Sequence, residues 1–224
     1  MIRCAPHAAR RSLWLALLLA VSPLAPAQSV RVAATESMAL PASAGATHDL
    51  RISVHMFRGS RWKASEIRTA VAAAAQFLAQ CGIALPAVQL HELEAPRRFH
   101  YFANRISREL LSELPTTKPA VFFVEDNLNR PAFDAEAIGR TNAGSRPELT
   151  DTVWVAHGTP DLAIALAHEL AHVLGDSGEH SDAPGNLMQA QTGPGNVSLS
   201  DAQCSRLRTR GYANGLLKPR VLKP

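Results

Sequence analysis

Between positions 50 and 213 the apolar residues of the chain switch repeatedly between a spacing of two and a spacing of three to four, the periods of strand and helix. Leu50, Ile52, Val54 and Met56 alternate with polar residues and predict a strand over 50–57 with one buried face. Ile67, Val71, Ala74 and Leu78 fall on one helical stripe, and Gly82 follows where a left-handed cap belongs, so a helix is predicted over 64–80. "AVQLHEL" after Pro86 forms a second strand, 104–113 a shorter helix ahead of Pro115, and "AVFFVED" at 120–126 the clearest buried strand. Residues 127–150, with Pro131, Gly139, Gly144 and Pro147, read as loop, and "TVWVA" as a further strand.

A helix then begins behind Thr159 as N-cap and Pro160 as first residue, and ends at Gly175. A Gly/Pro-rich stretch follows, and a last helix starts at Ser200, whose capping box with Gln203 carries it to about Arg210. The order strand, helix, strand, helix, strand, strand, helix points to a mixed α/β domain. No internal repeat is present.

The N-terminal 48 residues lack these periods. Arg3, Arg10 and Arg11 precede the apolar run 13–21, and a small-residue site ends at Ala27, the pattern of a secretory signal peptide over 1–27. That run is shorter than the ~20 residues that span a bilayer, so no stable membrane insertion is expected after cleavage. Residues 28–48, rich in Ala, Ser and Thr, read as a flexible leader into a single catalytic domain over 49–224. Removing 1–27 takes away three arginines and no acid, leaving 20 basic against 19 acidic residues, so the basic pI of the whole chain is no sign of nucleic-acid binding. Cys4 leaves with the signal peptide, and Cys81 and Cys204 remain, as one disulfide or as two buried free thiols, in an oxidising compartment, secreted or periplasmic.

The helix ending at Gly175 carries His168, Glu169 and His172 as H-E-x-x-H. Residues four apart on a helix project from one face, so the two imidazoles form a pincer for a Zn2+ ion, and Glu169 can reach a metal-bound water without being a ligand. Chance alone yields this motif in roughly 2% of chains of this composition. A catalytic zinc site needs a third protein ligand, for which His180 is the candidate; Asp176, Glu179 and Asp182 on the same loop compete with it. His157 is a weaker candidate for the cleft, and His48, His55, His91 and His100 are scattered and unremarkable.

"HELAHVLGDSGEH" followed by "GNLM" resembles the metzincin clan of zinc peptidases, whose motif is H-E-x-x-H-x-x-G-x-x-H with a later methionine turn. The resemblance implies His168, His172 and His180 as metal ligands, Glu169 as catalytic base, Gly175 as the glycine that turns the chain, and Met188 as a floor beneath the metal. The family's third histidine falls at Gly178 here, and His180 stands two residues later, as after a two-residue insertion. No tyrosine follows Met188, so a tyrosine ligand is not implied. The resemblance also implies a zincin domain of twisted mixed sheet, an active-site helix, a small C-terminal subdomain ending in a helix, and an edge strand, from "AIGRTNAG" or "TVWVA", that binds extended substrate.

The expected function is a zinc metallopeptidase, an endopeptidase acting as a monomer on peptide or protein substrate, with no nucleic-acid partner. The alternative is a metzincin-like module that binds zinc or a partner and cuts nothing.

Overall fold

All five residues from Ala120 to Val124 are buried, and successive side chains enter opposite cores: Val121 and Phe123 on one face, Ala120, Phe122 and Val124 on the other. A strand of that kind needs cover on both sides, and the rest of the chain supplies it. The computed structural model describes residues 29–40, 43–129 and 133–220; the signal-peptide reading of 1–27 lies outside these residues.

The strands and helices run β1 (Arg31–Ala39), β2 (His48–Leu50), β3 (Ile52–Phe57), α1 (Ala64–Ala79), β4 (Ile83–Ala84), β5 (Ala87–Glu94), β6 (Tyr101–Phe102) and α2 (Asn104–Glu113). They continue through β7 (Ala120–Val124), β8 (Asp126–Asn127), β9 (Ala135–Ile138), α3 (Arg140–Ala143), β10 (Thr152–Ala156), α4 (Leu162–Gly175), α5 (Asp201–Ala213) and β11 (Leu217–Pro219). The main sheet has the order β1-β5-β3-β7-β10-β9, with parallel pairing from β5 to β10 and an antiparallel strand at each edge. The result is a mixed α/β fold on a twisted mixed sheet. Helices α1 and α4 cover one face through Ile67, Val71, Leu78, Leu166 and Leu170, and α2 with the aromatic residues Phe57, Phe99, Phe102 and Trp154 fills the other. Smaller pairings, β11-β2-β4 and β6-β8, close the ends.

Several expectations change. Residues 31–39 of the supposed leader are a strand: β1 pairs antiparallel with β5 from Arg31 opposite Glu94 to Ala39 opposite Ala87. Most of its side chains face solvent, so main-chain hydrogen bonds and pairs such as Glu36 with Arg68 at 3.0 Å hold it, and no hydrophobic period marks it. Strand β3 buries both faces, with Ser53 and His55 each 2% exposed, because it lies inside the sheet. The stretch 127–150 holds β9 and α3 rather than loop alone. Of the two edge candidates, "AIGRTNAG" contributes Ala137 and Ile138 to edge strand β9, whereas "TVWVA" is interior β10.

The helix with the motif begins two residues late. The Thr159 hydroxyl is drawn to the carbonyls of Asp134 and Ala156, each at 2.7 Å, and Asp161 in left-handed conformation becomes the N-cap. At the other end the chain turns at Asp176 (φ 47°), not at Gly175. Gly175 is the last helical residue and lets α5 approach, since a Cβ there would lie 3.3 Å from Leu207 Cδ2. The Ser200 capping box is present, and α5 runs on to Ala213 before β11, which returns to pair with β2. Cys81 and Cys204 form the disulfide, tying the end of α1 to α5 across 123 positions. Closing a loop of that length restrains the unfolded chain by about 4–5 kcal/mol.

Candidate metal centre

Helical spacing places His168 and His172 one turn apart on α4, as the motif predicted. The chain leaves the helix at Asp176, whose Oδ1 accepts from the Thr141 backbone N–H at 2.9 Å, and the next loop returns to present His180. Ligand-capable nitrogens of His168, His172 and His180 all lie within 4.8 Å of one another, the only such group of three among the described residues. The acidic competitors go elsewhere: Asp176 caps Thr141, Glu179 pairs with Arg206, and Asp182 is exposed. His157 also stays out, its ring against the edge of Trp62.

The hydrogen bonds of the rings decide what the cluster can hold. Nδ1 of His168 donates to the Leu187 carbonyl at 2.7 Å, and Nδ1 of His172 to the Ser177 carbonyl at 2.6 Å. A carbonyl can only accept, so both rings carry their proton on Nδ1 and leave Nε2 as a bare lone pair. Those lone pairs converge: His172 Nε2 stands 2.9 Å from His168 Nε2 and 3.3 Å from His180 Nε2. Burial lowers the pKa of His168 and takes His172 down to about 4, with His168 adding to the effect on His172, so extra protons do not bridge them near neutral pH. Facing lone pairs at such distances repel, and a cation among them turns that repulsion into coordination. Imidazole nitrogens bound at ~2.0–2.1 Å in tetrahedral geometry sit about 3.3 Å apart, close to the 2.9 and 3.3 Å found around His172. The residues therefore fit a metal ion.

Glu169 lines the same cavity as these nitrogens, and the Ala137 backbone N–H on β9 donates to its carboxyl. Desolvation pushes its pKa up to about 8, with a smaller contribution from the nearby Glu136 charge. The three histidines and Glu169 line one cavity of about 380 Å³, together with Gly139 and Asn142 behind β9. Among the described residues no arginine or lysine lines it.

The turn containing Met188, which is 7% exposed, follows Leu187, whose carbonyl accepts from His168. Asn186 builds this turn: its Oδ1 accepts from the Met188 N–H at 2.9 Å, and its amide exchanges hydrogen bonds with the Gln203 side chain on α5. Sequence reading missed Asn186, Ala137 and the support from Leu187 and Ser177. Three of these four act through backbone atoms, which every residue type possesses, so no residue-type signal could have revealed them; only Asn186, inside "GNLM", carried a side-chain clue.

No protein-family model matches the sequence, and no curated protein does. Among solved structures, metalloproteinase-II from Bacteroides fragilis is similar, with a TM-score of 0.50 over 78% of this chain and 57% of that one, at 15% sequence identity. The chain thus spans less than two thirds of that protein's length, and at this identity the likeness is one of fold: a metalloproteinase-like fold.

Proposed function

We propose that this protein is a zinc-dependent peptidase, exported to the periplasm or the medium, in which His168, His172 and His180 hold Zn2+ and Glu169 is the general base. The observation that carries the reading is the convergence of three histidine Nε2 atoms beside a desolvated carboxyl in one cavity. Zinc, when bound, supplies a Lewis acid for the scissile carbonyl and lowers the pKa of water toward ~7.

The chain's own residues do the rest. The Leu187 and Ser177 carbonyls fix the His168 and His172 rings in the tautomer that leaves Nε2 free to donate a lone pair. The Glu169 carboxyl, oriented by the Ala137 N–H, takes a proton from the attacking water and returns it to the leaving amine nitrogen. An environment that raises this carboxyl toward neutrality suits a group that must both accept and release a proton. The outer edge of β9, beside the cavity, is where an extended peptide would add as a further strand. The Cys81–Cys204 disulfide supports export, since such bonds persist in oxidising compartments, and among the described residues no helix is long and apolar enough to cross a membrane.

The test is Glu169→Gln, assayed for zinc content and for cleavage of an unfolded protein. Zinc should stay near one per chain while kcat/KM falls by roughly 10²–10⁴-fold, the usual contribution of a positioned acid–base group. Undiminished cleavage in the variant would remove Glu169 from the mechanism. Zinc binding without turnover in wild type would leave a binding module.

A further inference from the structure

A second cavity, of about 530 Å³, opens where the small β11-β2 pairing meets the start of β7, and its chemistry is opposite to that of the histidine cavity. Among the described residues four cationic side chains line it, Arg51, Lys118, Lys218 and Arg220, against one carboxylate, Asp49. Asp49 is engaged by Arg220, Nε to Oδ1 3.6 Å. Arg51 and Lys218 have no ion pair among the described residues and are both exposed. Lys118 is half-buried, its Nζ donates at 3.4 Å to the Glu148 carbonyl, and the Asp151 charge acts on it favourably.

The cations stand on paired backbone. Ser53 on β3 donates its N–H to the Pro119 carbonyl at 3.2 Å and its hydroxyl to the Thr117 carbonyl at 2.6 Å, which pins the segment bearing Lys118. Lys218 lies opposite Asp49 in the β11-β2 pairing, and the Arg220 N–H donates to the Thr47 carbonyl at 2.8 Å. Burial takes the Lys118 pKa down to about 8 despite Asp151, so its charge is only partly compensated. Like charges fixed around one concave space repel each other, and an anion among them reverses the sign of that interaction. The volume falls in the range of small-molecule sites, ~300–1,000 Å³.

We infer that the cavity bounded by Arg51, Lys118, Lys218 and Arg220 is a binding site for a small, multiply charged oxyanion, a phosphorylated or polycarboxylate molecule. Arg51 and Arg220 supply planar forks that match phosphate or carboxylate oxygens in pairs, and the two lysines supply point charges. The Thr117 side chain and the Gly215 backbone complete the rim. The site is independent of the metal and of the peptidase reading.

The test is isothermal titration of the whole secreted-form chain with inorganic pyrophosphate and, separately, with tricarballylate at constant ionic strength. The same titrations are run on Arg51→Gln/Lys218→Gln, two exposed positions whose replacement leaves the cores intact. Saturable one-to-one binding, weakened tenfold or more in the double variant and weakened by added salt, is expected for at least one probe. Pyrophosphate alone would mark a phosphorylated ligand, tricarballylate alone a polycarboxylate. Binding of equal strength in the double variant would place the anion outside this cavity, and no saturable binding of either probe would remove the site; both outcomes overturn the inference.

Discussion

Two groups of histidines lie on opposite sides of the main sheet, and they behave as opposites. On β3 and β5, His55 and His91 stand in register on parallel strands, so their rings lie face to face with centroids 5.0 Å apart, and Phe122 stacks on the other side of His55 at 4.6 Å. On α4 and its loop, His172 meets His168 and His180 edge to face, at 80° and 85°. At the strand pair the nitrogens meet hydroxyls rather than one another: His55 Nε2 meets Ser53 Oγ at 3.1 Å, His91 Nδ1 meets Thr35 Oγ1 at 2.8 Å, and His55 Nδ1 is buried with no partner among the described residues. Around His172 the Nε2 atoms face one another at 2.9 and 3.3 Å, although His168 and His180 are themselves stacked, with centroids 5.3 Å apart. Burial lowers the pKa in both groups, to about 3 for His55 and about 4 for His172, so depressed basicity does not distinguish them. Convergence of lone pairs does.

The largest expected effect of breaking the comparison is His172→Ala, which removes the central nitrogen of the triad. Metal affinity should fall by more than the ~10–100-fold typical of losing a supporting residue, with loss of cleavage, as read by elemental analysis and a peptide assay. His180→Ala should also lose metal, and because His180 is an exposed loop residue the apo fold should keep its melting temperature within a few degrees. Metal retained in that variant would transfer the third ligand role to another group.

At the stacked pair the expected effects are small and of a different kind. His55→Phe keeps the stacking shape against Phe122 and removes an unpartnered buried nitrogen, while Ser53 retains its bond to the Thr117 carbonyl. Stability at neutral pH should stay within about 1 kcal/mol of wild type or rise, with metal content unchanged. The pH dependence sharpens the point. His55 folded takes up its proton near pH 3 and unfolded near 6.5, so between these values the unfolded chain binds more protons and stability rises with pH. His55→Phe should move acid unfolding to lower pH.

Glu169 has the reverse sign in the metal-free protein. Its folded pKa of about 8 exceeds the unfolded value near 4.5, so the folded state binds more protons in that window and stability falls as pH rises through it. Glu169→Gln should flatten that decline in chelator-treated protein, measured by thermal unfolding from pH 5 to pH 8. An unchanged slope would show that Glu169 ionises at its ordinary pKa.

The legible parts of the chain were those where side chains carry the signal. Helices α1 and α2 and strands β5, β7 and β10 show their periods because their apolar faces are buried, and the Ser200 capping box marks its own helix. Strand β1 was illegible because main-chain pairing holds a segment with most side chains in water, and β9 because it is four residues set among Gly and Pro. Gly175 stands out in the sequence as the turning residue, yet its part is to admit α5, and Asp176 makes the turn.

By itself the sequence determined that His168 and His172 share a helix face with Glu169 between them, because a helix's 3.6-residue turn makes neighbours of residues four apart. It also made Cys81 and Cys204 candidates for one disulfide, a pairing that the fold brings about. Tertiary structure alone decided the rest: that His180 and not Asp176, Glu179 or Asp182 joins the cluster, that Ala137 on β9 addresses Glu169, and that His55 and His91 stack harmlessly. These depend on where loops and strands distant in sequence come together. Packing and backbone hydrogen bonds fix those positions, and no local period encodes them.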